Sequence, residues 1–166
     1  MGSSVTEPRP ASTPRRVRPL ALDDFEAWRR GVTRWAVFLA TLLVAYWVMW
    51  FVDRGVVASD HTAEYVAFEQ SFPVADAWLL AALLAAATQL TRRRPSALMW
   101  VSVVGGAGGY LAALDMLYDV EHGIYVKPQG GAIELGINVL TAASSIGILM
   151  FGWRFRRQLA GGSLDP

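Results

Sequence analysis

Four acidic residues lie in or beside stretches of the sequence that are otherwise apolar: Asp53, Asp76, Asp115 and Glu134. A charge among apolar neighbours is costly unless it meets water, a partner or a ligand, so these four are the candidates for chemistry. Carboxylates in such surroundings support two kinds of work. They can hold a cation, an amine or the polar head of a lipid-like molecule, or they can act as acid and base on a lipophilic substrate. Asp115 is the strongest candidate, because it falls near the C-terminal end of its segment, where a helix dipole disfavours negative charge and capping offers no explanation. Asp76 and Glu134 fall in first turns, where capping accounts for a carboxylate as well as binding does. Ser71 and Pro73 mark a helix start just before Asp76. Asp53, beside Arg54, reads equally as an interfacial residue.

Spacing groups these residues with others. Gly105, Gly108, Ala112, Asp115 and Asp119 recur at intervals of three and four, so they form one stripe on a helix, its small residues turned toward a neighbour. Gly105 and Gly109 also make the small-xxx-small pattern that lets helix backbones approach. The run from Gly105 to Gly109 is not a phosphate loop, since its flanks are apolar helix rather than a strand-to-helix turn. Glu134, Asn138, Thr141 and Ser145 form a second polar stripe. Tyr46, Trp50 and Asp53 share a third face, which would supply aromatic walls and donors to a pocket, although an interfacial aromatic belt explains them equally. The expected ligand site is therefore a polar pocket with Asp115 and Glu134 at its centre, Asp76 nearby, and Asn138, Thr141, Tyr46 and Trp50 around them. Carboxylates gathered so closely repel, so one of them holds a proton or a cation sits between them.

Other chemistries lack their residues. The chain has no cysteine, which excludes disulfides, thiolate metal ligands and thiol redox work. With only His61 and His122, a histidine metal centre or a two-histidine haem site has no ligand set, and metal chemistry would need the carboxylates. Neither a metal nor a cofactor is expected. A formal net charge of +1 provides no basic field for nucleic acid.

The elements that must position the acids are four apolar blocks at about 32–52, 72–90, 97–118 and 132–153. The chain is 54% hydrophobic with a mean hydropathy of +0.32, and each block is close to the ~20 residues with which a helix spans a bilayer core. The expected fold is all-α, an integral membrane four-helix bundle. At about 1.5 Å rise per residue, Asp53, Asp115 and Glu134 lie roughly 28 to 30 Å from the opposite end of their helices, and Asp76 about 22 Å, all toward one leaflet. Residues 1–20, rich in Ser, Pro and Arg, read as a disordered tail. Leu22, Phe25 and Trp28 in 21–31 suggest a short helix lying at the headgroups. Residues 154–166 form a second tail.

Arginine placement sets the orientation. The N-terminal tail, Arg29, Arg30, Arg34, Arg92 to Arg94, Arg154, Arg156 and Arg157 fall on one side, and Arg54 and Lys127 on the other. Both termini are then cytoplasmic in a plasma membrane. The opposite loops, 53–71 and 119–131, carry Asp60, Glu64, Glu69, Asp119 and Glu121, and 62–70 is expected to form a short helix with Tyr65, Phe68 and Phe72 resting on the interface.

The segment Phe72-Pro73-Val74-Ala75-Asp76-Ala77-Trp78, followed by Asp115, His122-Gly123-Ile124-Tyr125 and Glu134 with Asn138, resembles small bacterial inner-membrane proteins of four spans. The resemblance covers about residues 32–153 and implies a four-helix bundle without an activity. In architecture and intramembrane acids the chain is also similar to the emopamil-binding-protein-like family of sterol isomerases and amine-binding proteins. None of that family's signatures is matched residue by residue, so no active-site residue is carried over. The expected partners are membrane lipids and a lipophilic or cationic small molecule, with a homo-oligomer or a larger membrane complex as the assembly, and no nucleic acid. The leading expectation is a binding or transport-type membrane protein. The alternatives are an intramembrane acid/base enzyme, whose catalytic residues are unknown, and an accessory subunit whose polar stripes serve helix packing.

Overall fold

The computed structural model of the protein describes residues 20–128 and 130–161. The expected N-terminal tail, apart from its last residue, and residues 162–166 of the expected C-terminal tail lie outside them. All regular structure among the described residues is helical: α1 (Leu20–Val52), α2 (Arg54–Val57), α3 (Ala63–Glu69), α4 (Pro73–Thr91), α5 (Ala97–Glu121), a 3₁₀ turn (Ile124–Val126), α6 (Gly131–Arg154) and α7 (Arg156–Leu159). Four stretches, Asp24–Val52, Ala63–Thr91, Ala97–Glu121 and Gly131–Arg154, are long and apolar enough to cross a membrane.

The four long helices form a bundle in chain order, α1 on α4, α4 on α5 and α5 on α6, while α1 and α6 stand on either side of the remaining gap without extensive contact. Small residues fill the inside: Ala36 and Ala40 of α1 and Ala82, Ala86 and Ala87 of α4 are buried, whereas Phe51, Val74, Met150 and Trp153 are exposed. Small inside and large outside suits helices whose outer surfaces meet hydrocarbon rather than water. The closest approach is between α5 and α6. A Cβ at Gly105 would stand 2.4 Å from Leu149 Cγ, and one at Gly108 would stand 2.6 Å from Ser145 Oγ, so the Gly105/Gly108 stripe is the seam. Gly109 has only an ordinary 3.8 Å neighbour, which assigns the approach to the three-residue spacing rather than to Gly105 and Gly109.

Residues 21–31 do not form the separate headgroup helix expected of them. They continue into the first span as one helix of 33 residues. Phe25 packs tilted against Phe155, ring centroids 5.4 Å apart, and the nearly buried Arg29 donates 2.7 Å to the carbonyl of Leu90 at the end of α4. Glu26 accepts from both Arg29 and Arg93, at 2.8 and 3.1 Å. A segment whose ring and charge both find partners on the bundle has no reason to turn along a surface. Arg29 thereby satisfies a C-terminal carbonyl of another helix.

Loops and ends divide by charge. Arg92 to Arg94, Arg154, Arg156 and Arg157 gather at one end, and the 53–62 connection with Asp53 and Asp60 lies at the other, beside the turn that follows α5.

Candidate functional site

At the acidic end the helices surround a cavity of about 410 Å³. Leu39 and Leu43 of α1, Leu79 and Leu83 of α4, Val104 of α5 and Ile148 of α6 make its apolar wall. Glu69, Asp76, Asp115 and Glu134 enter it with Asn138, and among the described residues no Lys, Arg or His lines it. One carboxylate oxygen each from Glu69, Asp115 and Glu134 lie within 4.8 Å of one another. Three acids from three elements, α3, α5 and α6, therefore converge, and their oxygens have the spacing to hold a cation between them.

The donors around the acids come mostly from other elements. Tyr46 OH of α1 donates 2.9 Å to Glu69, and Trp47 Nε1 donates 2.9 Å to Asp76. Ser59 Oγ and Tyr65 OH, the latter at 3.4 Å, both donate to Glu134 Oε2. Asp119, buried within α5, accepts from Asn138 Nδ2 at 2.7 Å, and the same amide reaches Tyr125 OH at 3.0 Å. Asp115 stands apart, since no described side chain donates to it.

These bonds decide the question of capping. Asp76 and Glu134 sit in first turns, but the cap positions are Phe72 and Gly130, neither of which caps with its side chain. Ser71, expected as the cap of α4, donates to the Phe68 carbonyl instead. Both acids spend their oxygens on donors from outside their own helix, so local helix chemistry does not explain them.

Of the residues expected in the pocket, Asp76, Asp115, Glu134, Asn138, Tyr46 and Thr141 line the cavity and Trp50 does not. Trp50 is buried in a separate cluster with Tyr65 and Ile124, its indole N–H unpaired among the described residues and its ring beneath Arg54. Thr141 lines the wall with its hydroxyl turned back to the Ile137 carbonyl at 2.9 Å, so it offers no free donor. Asp53 caps the short α2 through the Gly55 amide and is exposed.

Sequence reasoning missed Glu69, Trp47, Ser59 and the inward turn of Tyr65, which is buried rather than resting on an interface. A signal for two of them existed. Tyr65, Glu69, Phe72 and Asp76 recur at intervals of four, three and four, the stripe of a nearly continuous helix. Ser59 has no such pattern. It reaches Glu134 because Gly130 lies against it: Gly130 has φ +89°, and a Cβ there would stand 2.8 Å from the Ser59 Cα. Only glycine combines that backbone with that proximity.

Beside the cavity a more polar hollow, lined by Ser59, Asp60, His61 and Lys127, shares Tyr46, Val57 and Ile137 with it. Lys127 forms an ion pair with Asp60 across it. The Lys127 ammonium, chiefly by its hydrogen bond, pulls the Asp60 carboxyl down to about 2. A lowered carboxylate contributes stability above its unfolded value, near 3.9, that is lost as pH falls through about 2, so the clasp opens between about pH 4 and 2. In Lys127→Ala the Asp60 titration, followed by carbon NMR, is expected to move up toward the ordinary aspartate value; an unmoved titration would show that the pair is not formed.

The fold and site together define a class: a small protein of membrane type, with four long helices and an acidic cavity at one end. Compared with known protein families, with curated proteins and with solved structures, the chain matches none.

Proposed function

We propose that the chain crosses a plasma membrane four times with both termini in the cytoplasm, and that it is a binding or transport-type protein whose outer cavity takes up a positively charged ligand. The orientation follows from the gathering of arginines at one end of the bundle. The convergence of Glu69, Asp115 and Glu134 at the head of an apolar cavity that no described cationic side chain lines carries the functional reading. Carboxylates brought that close in a poorly solvated space repel, and a cation between them relieves the repulsion.

Native mass spectrometry of the detergent-solubilised full chain tests this reading. A bound mass is expected on the unaltered protein and not on the double variant Asp115→Asn, Glu134→Gln. Bare protein in both cases, after purification in added lipid extract, speaks against a ligand. The same spectrum reports copy number.

A second reading, acid/base catalysis on a lipophilic substrate, draws on one observation. Asp115, which has no donor among the described side chains, faces Glu134, which has two, and such unequal surroundings are how two carboxylates take opposite proton-transfer roles. Turnover of a bound lipid, abolished by either acid-to-amide change, would favour it over simple binding.

A further inference from the structure

The cavity's polarity is divided along its length. The carboxylates of Glu69, Asp115 and Glu134 occupy one end, and from there the wall passes to Leu43, Leu79, Leu83 and Val104. Asp115 and Val104 are eleven residues apart on α5, a depth of about 16 Å at helical rise. A bare inorganic cation would occupy the head of this space and leave the apolar part unfilled. A phospholipid would set its phosphate against three carboxylates. A ligand that fits both ends has a positive head and one hydrocarbon tail.

The walls add a second consideration. α1 and α6 both line the cavity, through Leu42 and Leu43 on one side and Leu140 and Thr141 on the other, yet they do not pack extensively on each other. At its deep end the gap is crossed by the Trp35 indole, which donates 3.1 Å to Ser144 Oγ. The outer faces of the same two helices carry exposed Val44, Val48, Val139 and Ile146. The open side of the cavity therefore adjoins surface suited to hydrocarbon, where an amphiphile is already dissolved.

From charge complementarity and depth we infer that the ligand is a single-chain lipophilic amine or quaternary ammonium, its head among Glu69, Asp115 and Glu134 and its tail along Leu43, Leu79, Leu83 and Val104. A tail of about twelve carbons spans the depth, given single carbon bonds of about 1.5 Å in zigzag. This inference rests on the proposed binding role of the cavity and narrows it to one class of ligand.

The test uses the full chain in lipid nanodiscs and a primary alkylamine of that length bearing a photoreactive diazirine near its methyl end. Labelling is expected on residues of the deep wall, Leu83 and Val104. Unlabelled dodecylamine should compete at least about tenfold better than dodecanol or methylammonium at equal concentration. Labelling should fall at least about tenfold in Asp115→Asn and stay unchanged in Asp53→Asn, whose carboxylate lies outside the cavity. Equal competition by methylammonium overturns the tail and leaves the broader reading of a cation-binding cavity standing. Equal competition by dodecanol overturns the charged head. Labelling indifferent to Asp115→Asn, in protein that still melts cooperatively, overturns this inference and the binding role together.

Discussion

Asn138→Leu is expected to lower the stability of the protein by about 2 to 3 kcal/mol, read as an earlier thermal or denaturant transition in detergent. The amide of Asn138 is 1% exposed and donates to the carboxylate of Asp119, which is equally buried. Leucine fills a similar volume, so the loss is electrostatic. It removes a donor from a carboxylate that is itself 1% exposed, which costs more than the net worth of the bond itself. Polar contacts between membrane helices average only about half a kcal/mol, and a result near that value would mean that Asp119 finds water or a proton once its donor is gone. The double variant Asp119→Leu, Asn138→Leu separates these cases. If the stranded carboxylate is the cause, the double variant is more stable than the sum of the two single changes predicts.

The second large effect has opposite signs in its two readouts. Asp115→Asn is expected to weaken binding of the cationic amphiphile by about tenfold to a hundredfold, the worth of one hydrogen bond to a charged group. The same change should raise the melting temperature of the ligand-free protein. Glu69 and Glu134 have donors in Tyr46, Ser59 and Tyr65, whereas Asp115 has none among the described side chains and adds only repulsion when the cavity holds no cation. Weaker binding with higher stability marks a residue kept for function at a cost to the fold. A lower melting temperature would make Asp115 a structural residue and would remove it from the site.

The sequence revealed the fold to different depths at different places. Four apolar blocks bounded by arginines determine four long helices, because about twenty apolar residues between charges leave few other structures. Asp115 was legible through the Gly105, Gly108, Ala112 stripe, since a face that small must meet a neighbour. Asn138 was legible through its four-residue offset from Glu134. Glu69 was not, because Pro73 reads as the start of a new helix and hides the continuity of the Tyr65, Glu69, Phe72, Asp76 stripe. Ser59 was not legible at all: it is set by the fit of its backbone to Gly130, 71 residues along the chain, and no local period encodes such a fit. Trp50 misled because it shares a helical face with Tyr46 yet is covered by Tyr65 and Ile124, which come from parts of the chain that no period of α1 encodes.

Arg29 has a mechanical meaning beyond its bond. Its hold on the Leu90 carbonyl places a fulcrum at the arginine-rich end of α1, and Tyr46 lies seventeen residues farther along the same unbroken helix. That lever arm is about 25 Å, so a rotation of only about five degrees at the fulcrum swings the phenol by about 2 Å. The 2.9 Å reach from Tyr46 to Glu69 does not survive such a swing. A slight tilt of one helix is thus enough to part Tyr46 from Glu69 while the arginine-rich end of α1 stays in place.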